Sequence, residues 1–435
     1  MLEKAYALWH ELEQESGQKL LHYTGGLDIG RKDDKGITGV LLACKEHNLE
    51  HEVLEPDQVT AKFPGVTIPP GYVAIYQKDA GILEPEKCTL AHYWLARVHG
   101  AVTKMNVDVT DIALIEGEVV TGADGRMTLV RLITNDRDKA TVKKQNLKRL
   151  FCITVVANNA GSSVAPAAFF AVNAVLTAGA WSKELVAKAE IFKRPLAPLP
   201  PALLQTVNSL SVERQVVNWF RPLKNPEHYA LGRFPIFLVH LHHPAHLNSP
   251  SSPQHPLGDL RFYYGFPCFG ADGGFKCARY DHFYEKIQPD NLELEHKRGV
   301  STEDILATKP LIETCFPGIQ DAKSQEGEIP SNYIRSGVCM FTNTPDGHFV
   351  IDAFSAVPHR KPTSNKAAKK GSAPEATTAE PRVVFISACS GHGFKFASVI
   401  GQIAADLSCG KPREDVDWLS SNRFVPKLAA RNSML

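Results

Sequence analysis

A cysteine in the C-terminal part of the chain has neighbours that suit a reactive thiol. Cys339 opens the segment Cys-Met-Phe-Thr-Asn-Thr-Pro-Asp, which has the composition of a strand followed by a turn. A thiolate can attack an electron-poor ring carbon when nearby positive charge lowers the pKa of the cysteine. Arg335 lies four residues earlier, but this spacing does not identify it as that charge. A nucleophilic cysteine and an ordinary core strand both remain open.

Farther along, the chain contains a turn suited to an anion. A strand predicted over Arg382–Ser387 leads through Gly391 and Gly393 into a predicted helix that ends before Gly410. Such a turn directs backbone N–H groups and the positive end of the helix dipole at the group above it. Lys395, in the first turn, adds a cation. A flavin would suit this site because its reduction places negative charge on the N1–C2=O edge; an ordinary strand–helix junction is the alternative.

Composition narrows the classes of protein. The chain has 435 residues, of which 43% are hydrophobic and 22% charged, enough for two domains or one large two-lobed domain. The net charge of +1 gives no basic surface for nucleic acid or a membrane. The 9 cysteines are scattered without a CxxC pair, which indicates reduced thiols. No metal is expected, because five histidines, His240, His242, His243, His246 and His255, have the spacing of a loop.

The elements that must position these residues follow from periodicity. An opening helix carries an apolar stripe at Ala5, Leu8, Trp9 and Leu12, and a second helix is predicted over 84–99. Strands are predicted over 20–29, 102–114, 127–134, 153–157, 173–177, 260–269 and 338–342, with antiparallel strands within 212–240. The apolar run 165–181 is interpreted as buried core. Segments 143–166, 242–256 and 355–382 are interpreted as insertions, the last of them disordered.

Several segments, taken in order, resemble the sarcosine and pipecolate oxidase family of FAD-dependent amine oxidases. They are Trp9-His-Glu-Leu-Glu, Thr24-Gly-Gly-Leu, Gly179-Ala-Trp, Tyr263-Tyr-Gly-Phe-Pro and the two C-terminal segments. Fructosyl amino acid oxidases are less similar around Cys339 and Gly393. The resemblance implies a mixed α/β (α+β) fold with two lobes: a partial Rossmann-like FAD lobe, mainly 100–181 and 383–435, and an antiparallel-sheet substrate lobe, mainly 18–99 and 182–345.

The resemblance also implies roles for particular residues. Cys339 would attach the FAD covalently, Tyr264 would face the substrate, Lys395 would pair with its carboxylate, and Lys276 would lie near flavin N5 and assist the reaction with O₂. The cofactor-binding residues implied are Cys339, Gly391, His392, Gly393, Lys395 and Val107. The family histidine that follows the lysine aligns with one of three positions, Tyr280, Asp281 or His282. Phe341 stands where a tyrosine is usual.

The reaction implied is oxidation of a secondary-amine amino acid by O₂, giving an imine and H₂O₂. We expect a monomer whose partners are this small molecule and O₂, with neither nucleic acid nor a membrane. The G-x-G-x-x-G turn that holds the FAD pyrophosphate in this family occurs nowhere in the chain, which suggests that the chain begins just after that unit. The alternative is therefore a truncated, catalytically silent member. Ser433-Met434-Leu435 loosely resembles a peroxisomal signal, so a peroxisomal or a cytoplasmic location is expected.

Overall fold

The computed structural model confirms the mixed α/β class. It describes residues 1–123, 127–134, 136–143, 147–157, 166–192, 200–242, 259–270, 273–280, 282–289, 299–355, 381–387 and 390–424. The chain divides into two compact units. The first unit comprises Met1–Ala5, Ala96–Ser211 and Thr342–Leu435, and the second comprises Tyr6–Leu95 and Val212–Phe341. Residues 182–211, assigned above to the substrate lobe, therefore group with the first unit.

Strands and helices are numbered in chain order. The strands are β1 (Leu21–Tyr23), β2 (Gly26–Arg31), β3 (Glu52–Leu54), β4 (Tyr72–Gln77), β5 (Gly81–Leu83), β6 (Val107–Thr121), β7 (Met127–Ile133), β8 (Leu147–Ala157), β9 (Ala167–Ala171), β10 (Ala174–Leu176), β11 (Ser211–Phe220), β12 (Ile236–His242), β13 (Leu260–Phe266), β14 (Phe275–Arg279), β15 (Tyr333–Asn343), β16 (Val350–Ser355) and β17 (Arg382–Ser387). The helices are α1 (Leu2–Ser16), α2 (Lys35–Glu46), α3 (Pro56–Lys62), α4 (Pro85–Val98), α5 (Asp136–Thr141), α6 (Ser182–Lys188), α7 (Pro201–Ser209), α8 (Thr302–Leu306), α9 (Lys309–Cys315) and α10 (Ala397–Ser408).

An eight-stranded sheet dominates the second unit, in the order β15-β11-β14-β13-β12-β2-β4-β3. Neighbouring strands β11, β14, β13 and β12 pair antiparallel. The sequence predicted antiparallel strands in the regions of β11, β12 and β13, whereas β14 was not predicted. The pairing of β12 with β2 is parallel and was not predicted. The paired residues of β2 and β12 lie some 200 positions apart in the chain. Local periodicity carries no information about a partner so remote.

The two faces of this sheet differ in burial. Side chains alternate along a strand, so one face supplies Leu27, Val239, Tyr263 and Phe275 to a hydrophobic core. Helices α3, α8 and α9 cover that face with the buried residues Val59, Ile305, Leu311 and Ile312. The opposite face carries the partly exposed residues Asp28, Leu238, Tyr264 and Lys276. Packing against the core on one face thus holds the strands in place, and the polar and aromatic side chains of the opposite face are left accessible to a ligand.

Two smaller sheets belong to the first unit. One has the order β10-β17-β16, with β10 and β17 parallel, and the other has the order β7-β6-β8-β9. They share a hydrophobic core that includes Ile112, Phe151, Leu176, Val350 and Phe385. The strand predicted before the glycine turn is β17, and the helix predicted after it is α10, with Gly410 at a φ of 78° beyond its end. The C-terminal segment therefore forms the strand–turn–helix that its sequence indicated.

Two interpretations of the sequence were wrong in this unit. Segment 143–166 is not a loop-like insertion over its whole length, because β8 pairs with both β6 and β9. The strand predicted over 153–157 extends back to Leu147, into the lysine-rich part of the segment. The run 165–181 is not uniformly buried either: β9 lies at a sheet edge, and Phe169 and Phe170 are 38% and 42% exposed. An apolar run alone cannot distinguish an edge strand from a central one.

Other predictions fall outside the described residues. These are the bulk of segments 242–256 and 355–382, Asp281, the histidines at 243, 246 and 255, and the C-terminal tripeptide 433–435. His242 is described, and its Nε2 lies 2.8 Å from Asp34 Oδ1. Within the described ranges, no helix is both long and apolar enough to cross a membrane.

Candidate functional site

Lys276 lies in the middle of the partly exposed sheet face. Its register neighbours are Trp219 on β11 and Phe266 on β13. The Lys276 ammonium lies 5.0 Å from the ring centroid of Trp219 and 5.1 Å from that of Phe266, within the range of a cation–π contact. Tyr264 lies two residues before Phe266 on the same side of β13, and the two rings meet edge-on at 6.2 Å. The sheet thus holds the lysine and the tyrosine within one aromatic cluster.

Cys339 joins this cluster from the edge strand β15. A Cβ built on Gly337 would lie 3.5 Å from the Trp219 ring. The side-chain direction at that position therefore points to the sheet face that carries Lys276, called the lysine face below. Because side chains alternate, Cys339, two residues on, points to the same face. The Cys339 thiol and the Lys276 ammonium also interact electrostatically. Cys339, Lys276 and Tyr264 are therefore brought together on one surface.

The surface disfavours charge. Burial lowers the pKa of Lys276, which the Cys339 thiol partly offsets. Burial raises the pKa of Cys339, which Lys276 in turn opposes without reversing. Burial also raises the pKa of Tyr264 well above its ordinary value. The common cause is loss of water, so charges on this face interact strongly with one another and with any bound group.

The cation that acts on the cysteine is Lys276, which lies on a different strand. Arg335, the cation close to Cys339 in sequence, instead stacks its guanidinium 3.7 Å above the Trp219 ring centroid. Spacing along one strand could suggest only Arg335. The resemblance named Lys276, but the cross-strand register was needed to place it beside Cys339, and that register is not readable from sequence.

Of the two described positions for the family histidine, Tyr280 is the one that contacts the cluster. Its ring centroid is 6.4 Å from that of Tyr264 and 5.7 Å from that of Phe341. His282 is instead buried, and its Nε2 donates to Asp304 Oδ1 at 2.7 Å. Asp281 lies outside the described residues.

A buried ionic network fixes the chain that follows Lys276. Arg214 donates to both carboxylate oxygens of Asp304, at 2.9 and 3.0 Å. Burial raises the pKa of Asp304, but hydrogen bonds from His282 and Arg214 outweigh it and hold that pKa well below its ordinary value. The network joins β11, α8 and the loop after β14. Sequence reasoning missed it, although Ser301 and Asp304 form a capping box whose S-x-x-D pattern is a readable helix start.

The glycine turn contacts the end of the cysteine segment within the first unit. Ser390 and Gly391 have positive φ angles of 43° and 73°. The backbone N–H of Ser390 donates to the Thr342 carbonyl at 2.9 Å, and the Thr344 N–H donates to Ser390 Oγ at 3.4 Å. The two segments that the sequence singled out are therefore joined by hydrogen bonds.

Side chains fasten the same turn. His392 Nε2 donates to the Gly347 carbonyl at 3.0 Å, and its ring lies 4.8 Å from that of Phe349. The Lys395 ammonium donates to the His392 carbonyl at 2.9 Å from a 3₁₀ turn that precedes α10. Burial lowers the pKa of His392 and so favours the neutral form of its imidazole.

The remaining predicted residues are also in the first unit. Gly393 has an ordinary helical φ of −77°. Val107 begins β6, where it pairs with Ala157 of β8. The predicted site residues thus form two groups: Cys339, Lys276 and Tyr264 in the second unit, and Val107, Gly391, His392, Gly393 and Lys395 in the first.

Comparison with known proteins identifies relatives along nearly the whole chain. A family model described as FAD dependent oxidoreductase matches residues 1–407. Monomeric sarcosine oxidase of Arthrobacter sp. (strain TE1826) is 30% identical over 423 residues, which cover 97% of this chain and 80% of that protein. Monomeric sarcosine oxidase of Bacillus sp. (strain NS-129) is 28% identical, covering 98% of this chain and 82% of that protein.

Solved structures share the fold at lower identity. The open form of NikD, described as an unusual amino acid oxidase essential for nikkomycin biosynthesis, superimposes with a TM-score of 0.59 at 17% identity. The match covers 96% of this chain and 81% of that one. L-proline dehydrogenase from P. horikoshii gives a TM-score of 0.54 at 14% identity, covering 97% and 82%.

Proposed function

Because the chain belongs to the FAD dependent oxidoreductase family, we propose that it oxidises a secondary-amine amino acid, such as sarcosine or pipecolate, to an imine. O₂ is the proposed acceptor and H₂O₂ the second product. FAD, when bound, would supply the hydride acceptor and return electrons to oxygen. The observation that carries the proposal is the grouping of Cys339, Lys276 and Tyr264 on one desolvated sheet face.

The residues on that face fit the ring end of a flavin. An aromatic, water-poor surface suits a large planar ring, and a thiol beside a lysine suits covalent attachment. In the proposal, Cys339 attaches the cofactor and Lys276 holds a positive charge where oxygen is reduced. Tyr264 orients the substrate with a hydroxyl that burial keeps protonated.

The glycine turn supplies the second group of contacts in the proposal. Gly391 and His392 would line the cofactor, Val107 would lie near its adenosine half, and Lys395 would bind the substrate carboxylate. Lys395 suits this role because an ammonium that already donates to a carbonyl can exchange that weaker acceptor for a carboxylate. The proposal includes a monomeric protein, in keeping with the relatives' names.

Cofactor retention tests the proposal directly. The purified chain, incubated with FAD, is expected to keep a yellow flavin in the pellet after acid precipitation. Cys339→Ser should move that flavin to the supernatant, whereas Cys409→Ser, at an exposed cysteine, should leave it in the pellet. Flavin that stays covalently bound in Cys339→Ser would refute the attachment site.

One observation favours the alternative of a catalytically silent member. The chain contains no G-x-G-x-x-G turn to hold the pyrophosphate of FAD. Protein that stays colourless after FAD is added, and produces no H₂O₂ from sarcosine or pipecolate, would establish that alternative. Retained flavin together with peroxide from either amine would exclude it.

A further inference from the structure

An acidic side chain lies on the same sheet face as the candidate site. Asp28 on β2 is the register partner of Leu238 on β12, and Leu238 is the partner of Tyr264 on β13. Residues in register across a sheet present their side chains to the same face. Neighbouring strands are about 4.8 Å apart, so two spacings place Asp28 about 10 Å from Tyr264. Leu238, between them, is 45% exposed and leaves the path across the face open.

The Asp28 carboxylate has no counter-charge among the described residues. It makes no hydrogen bond or ion pair with those residues, and desolvation alone raises its pKa to about 6. Ile75, its register partner on β4, is 2% exposed and apolar. The titratable group that interacts with it is the Cys44 thiol of α2, which is neutral. A carboxylate held away from water without a partner is costly.

A protein can tolerate the cost of an unpaired, buried carboxylate at a site where a ligand supplies the positive charge. Asp28 stands at the covered border of the face: α2 packs over Val73 and Ile75 through Ile37, Val40 and Leu41. A small molecule that contacts Tyr264 at one end and extends over Leu238 would reach Asp28 at the other. The distal group of that molecule would then contact the desolvated, negatively charged carboxylate of Asp28.

We propose that Asp28 is a specificity-determining residue that binds a positively charged group in the substrate side chain. Building on the proposed function, this makes N-alkylated amino acids with a second, basic nitrogen at the end of their side chain the preferred substrates, ahead of sarcosine and pipecolate, which lack that nitrogen. A lysine-type stem of four carbons suits the span from an α-carbon near Tyr264 to a carboxylate beyond Leu238. The second nitrogen is bound and is not itself oxidised.

Two probes of matched size separate charge from shape. Nα-methyl-L-lysine carries the distal ammonium, and Nα-methyl-L-norleucine has a similar stem without it. Binding is measured by calorimetry and turnover by H₂O₂ release, using the full chain after incubation with FAD. We expect the wild-type protein to bind the lysine probe roughly tenfold or more tightly than the norleucine probe, since a hydrogen-bonded charge pair is being formed.

Variants assign the preference to one carboxylate. Asp28→Asn keeps the shape and removes the charge, so the tenfold preference should disappear in it. Asp33→Asn, at an exposed acid nearby, should keep the preference. A preference that survives in Asp28→Asn, or that is lost in both variants, would overturn the role of Asp28.

The outcomes also separate this inference from the proposed function. Equal wild-type affinity for the two probes, with both oxidised, overturns the role of Asp28 and leaves the oxidase function standing. Preferential binding of the lysine probe without peroxide supports Asp28 and counts against the oxidase function. Binding of neither probe overturns the inference. The wild-type comparison alone decides the matter if Asp28→Asn does not fold.

Discussion

Two arginines, one in each unit, donate to both oxygens of an aspartate across the fold: Arg214 to Asp304 in the second unit and Arg423 to Asp346 in the first. The two pairs differ in exposure. The Arg214 and Asp304 side chains are 1% and 7% exposed, whereas those of Arg423 and Asp346 are 18% and 34% exposed. The buried pair supports the strands that carry the lysine face, while the exposed pair fastens the turn around Gly347. Similar geometry therefore occurs in a buried and in a more exposed setting, and burial sets how much each pair contributes to stability.

The strongest test of this contrast removes each aspartate in turn. Asp304→Ala should destabilise the protein by about 3–5 kcal/mol, because Arg214 is left buried without its bidentate partner. Asp346→Ala should cost about 1 kcal/mol or less, because water replaces the lost contacts of Arg423. Urea unfolding of both variants gives the two free energies. Equal losses would mean that burial does not separate the two pairs.

Removing the unpaired charge of Asp28 on the lysine face should stabilise the protein, whereas removing either paired aspartate should destabilise it. The folded pKa of Asp28 is about 6 against an ordinary 3.8, so between these values the folded chain binds more protons than the unfolded chain. The free energy of unfolding therefore falls as pH rises through that window, by about 2–3 kcal/mol in total. Asp28→Asn should be more stable than the wild type at pH 7 by about that amount, and nearly equal to it at pH 4.

Unfolding by urea at both pH values, without substrate, measures the effect. Asp33→Asn serves as the exposed control and should change stability little at either pH. A destabilised Asp28→Asn at pH 7 would show that the carboxylate already has a partner in the folded chain.

A smaller effect is expected from the backbone of the turn. Gly391 has a φ of +73°, which L side chains adopt at a cost, whereas Gly393 has a φ of −77° that suits alanine. Gly391→Ala should lose about 1–2 kcal/mol, and Gly393→Ala should lose much less. Thermal unfolding of the Gly391→Ala and Gly393→Ala variants measures the two losses of stability. A larger loss for Gly393→Ala would mean that packing, and not φ, governs this turn.

The elements with strong local signals were predictable. The stripe at Ala5, Trp9 and Leu12 predicted α1, and all three residues are buried. The strand–turn–helix around Gly391 was readable because turn glycines and helical periodicity coincide there. These features depend on residues close in sequence, which is where propensity and pattern act.

What the sequence concealed depends on register between remote strands. Asp28 is one polar residue between Leu27 and Ile29, and such a residue ordinarily faces solvent. Only its pairing with Leu238 shows that it shares a face with Tyr264. The proximity of the Lys276 and Cys339 side chains could not be predicted for the same reason. A site on a sheet face is assembled from strands whose order the linear pattern does not contain.

The parallel pairing of β2 with β12 has a consequence for the order of folding. β2 ends at Arg31, and its partner begins at Ile236. At about 5–20 residues per second, synthesis of the intervening chain takes about 10–40 s. β4 can pair with one side of β2 early in that interval, but the other side of β2 waits for β12 and is an unpaired edge, which is a template for association with other chains. We therefore expect the edge of β2 to stay exposed to other chains for longer than in a chain of the same length built from local contacts.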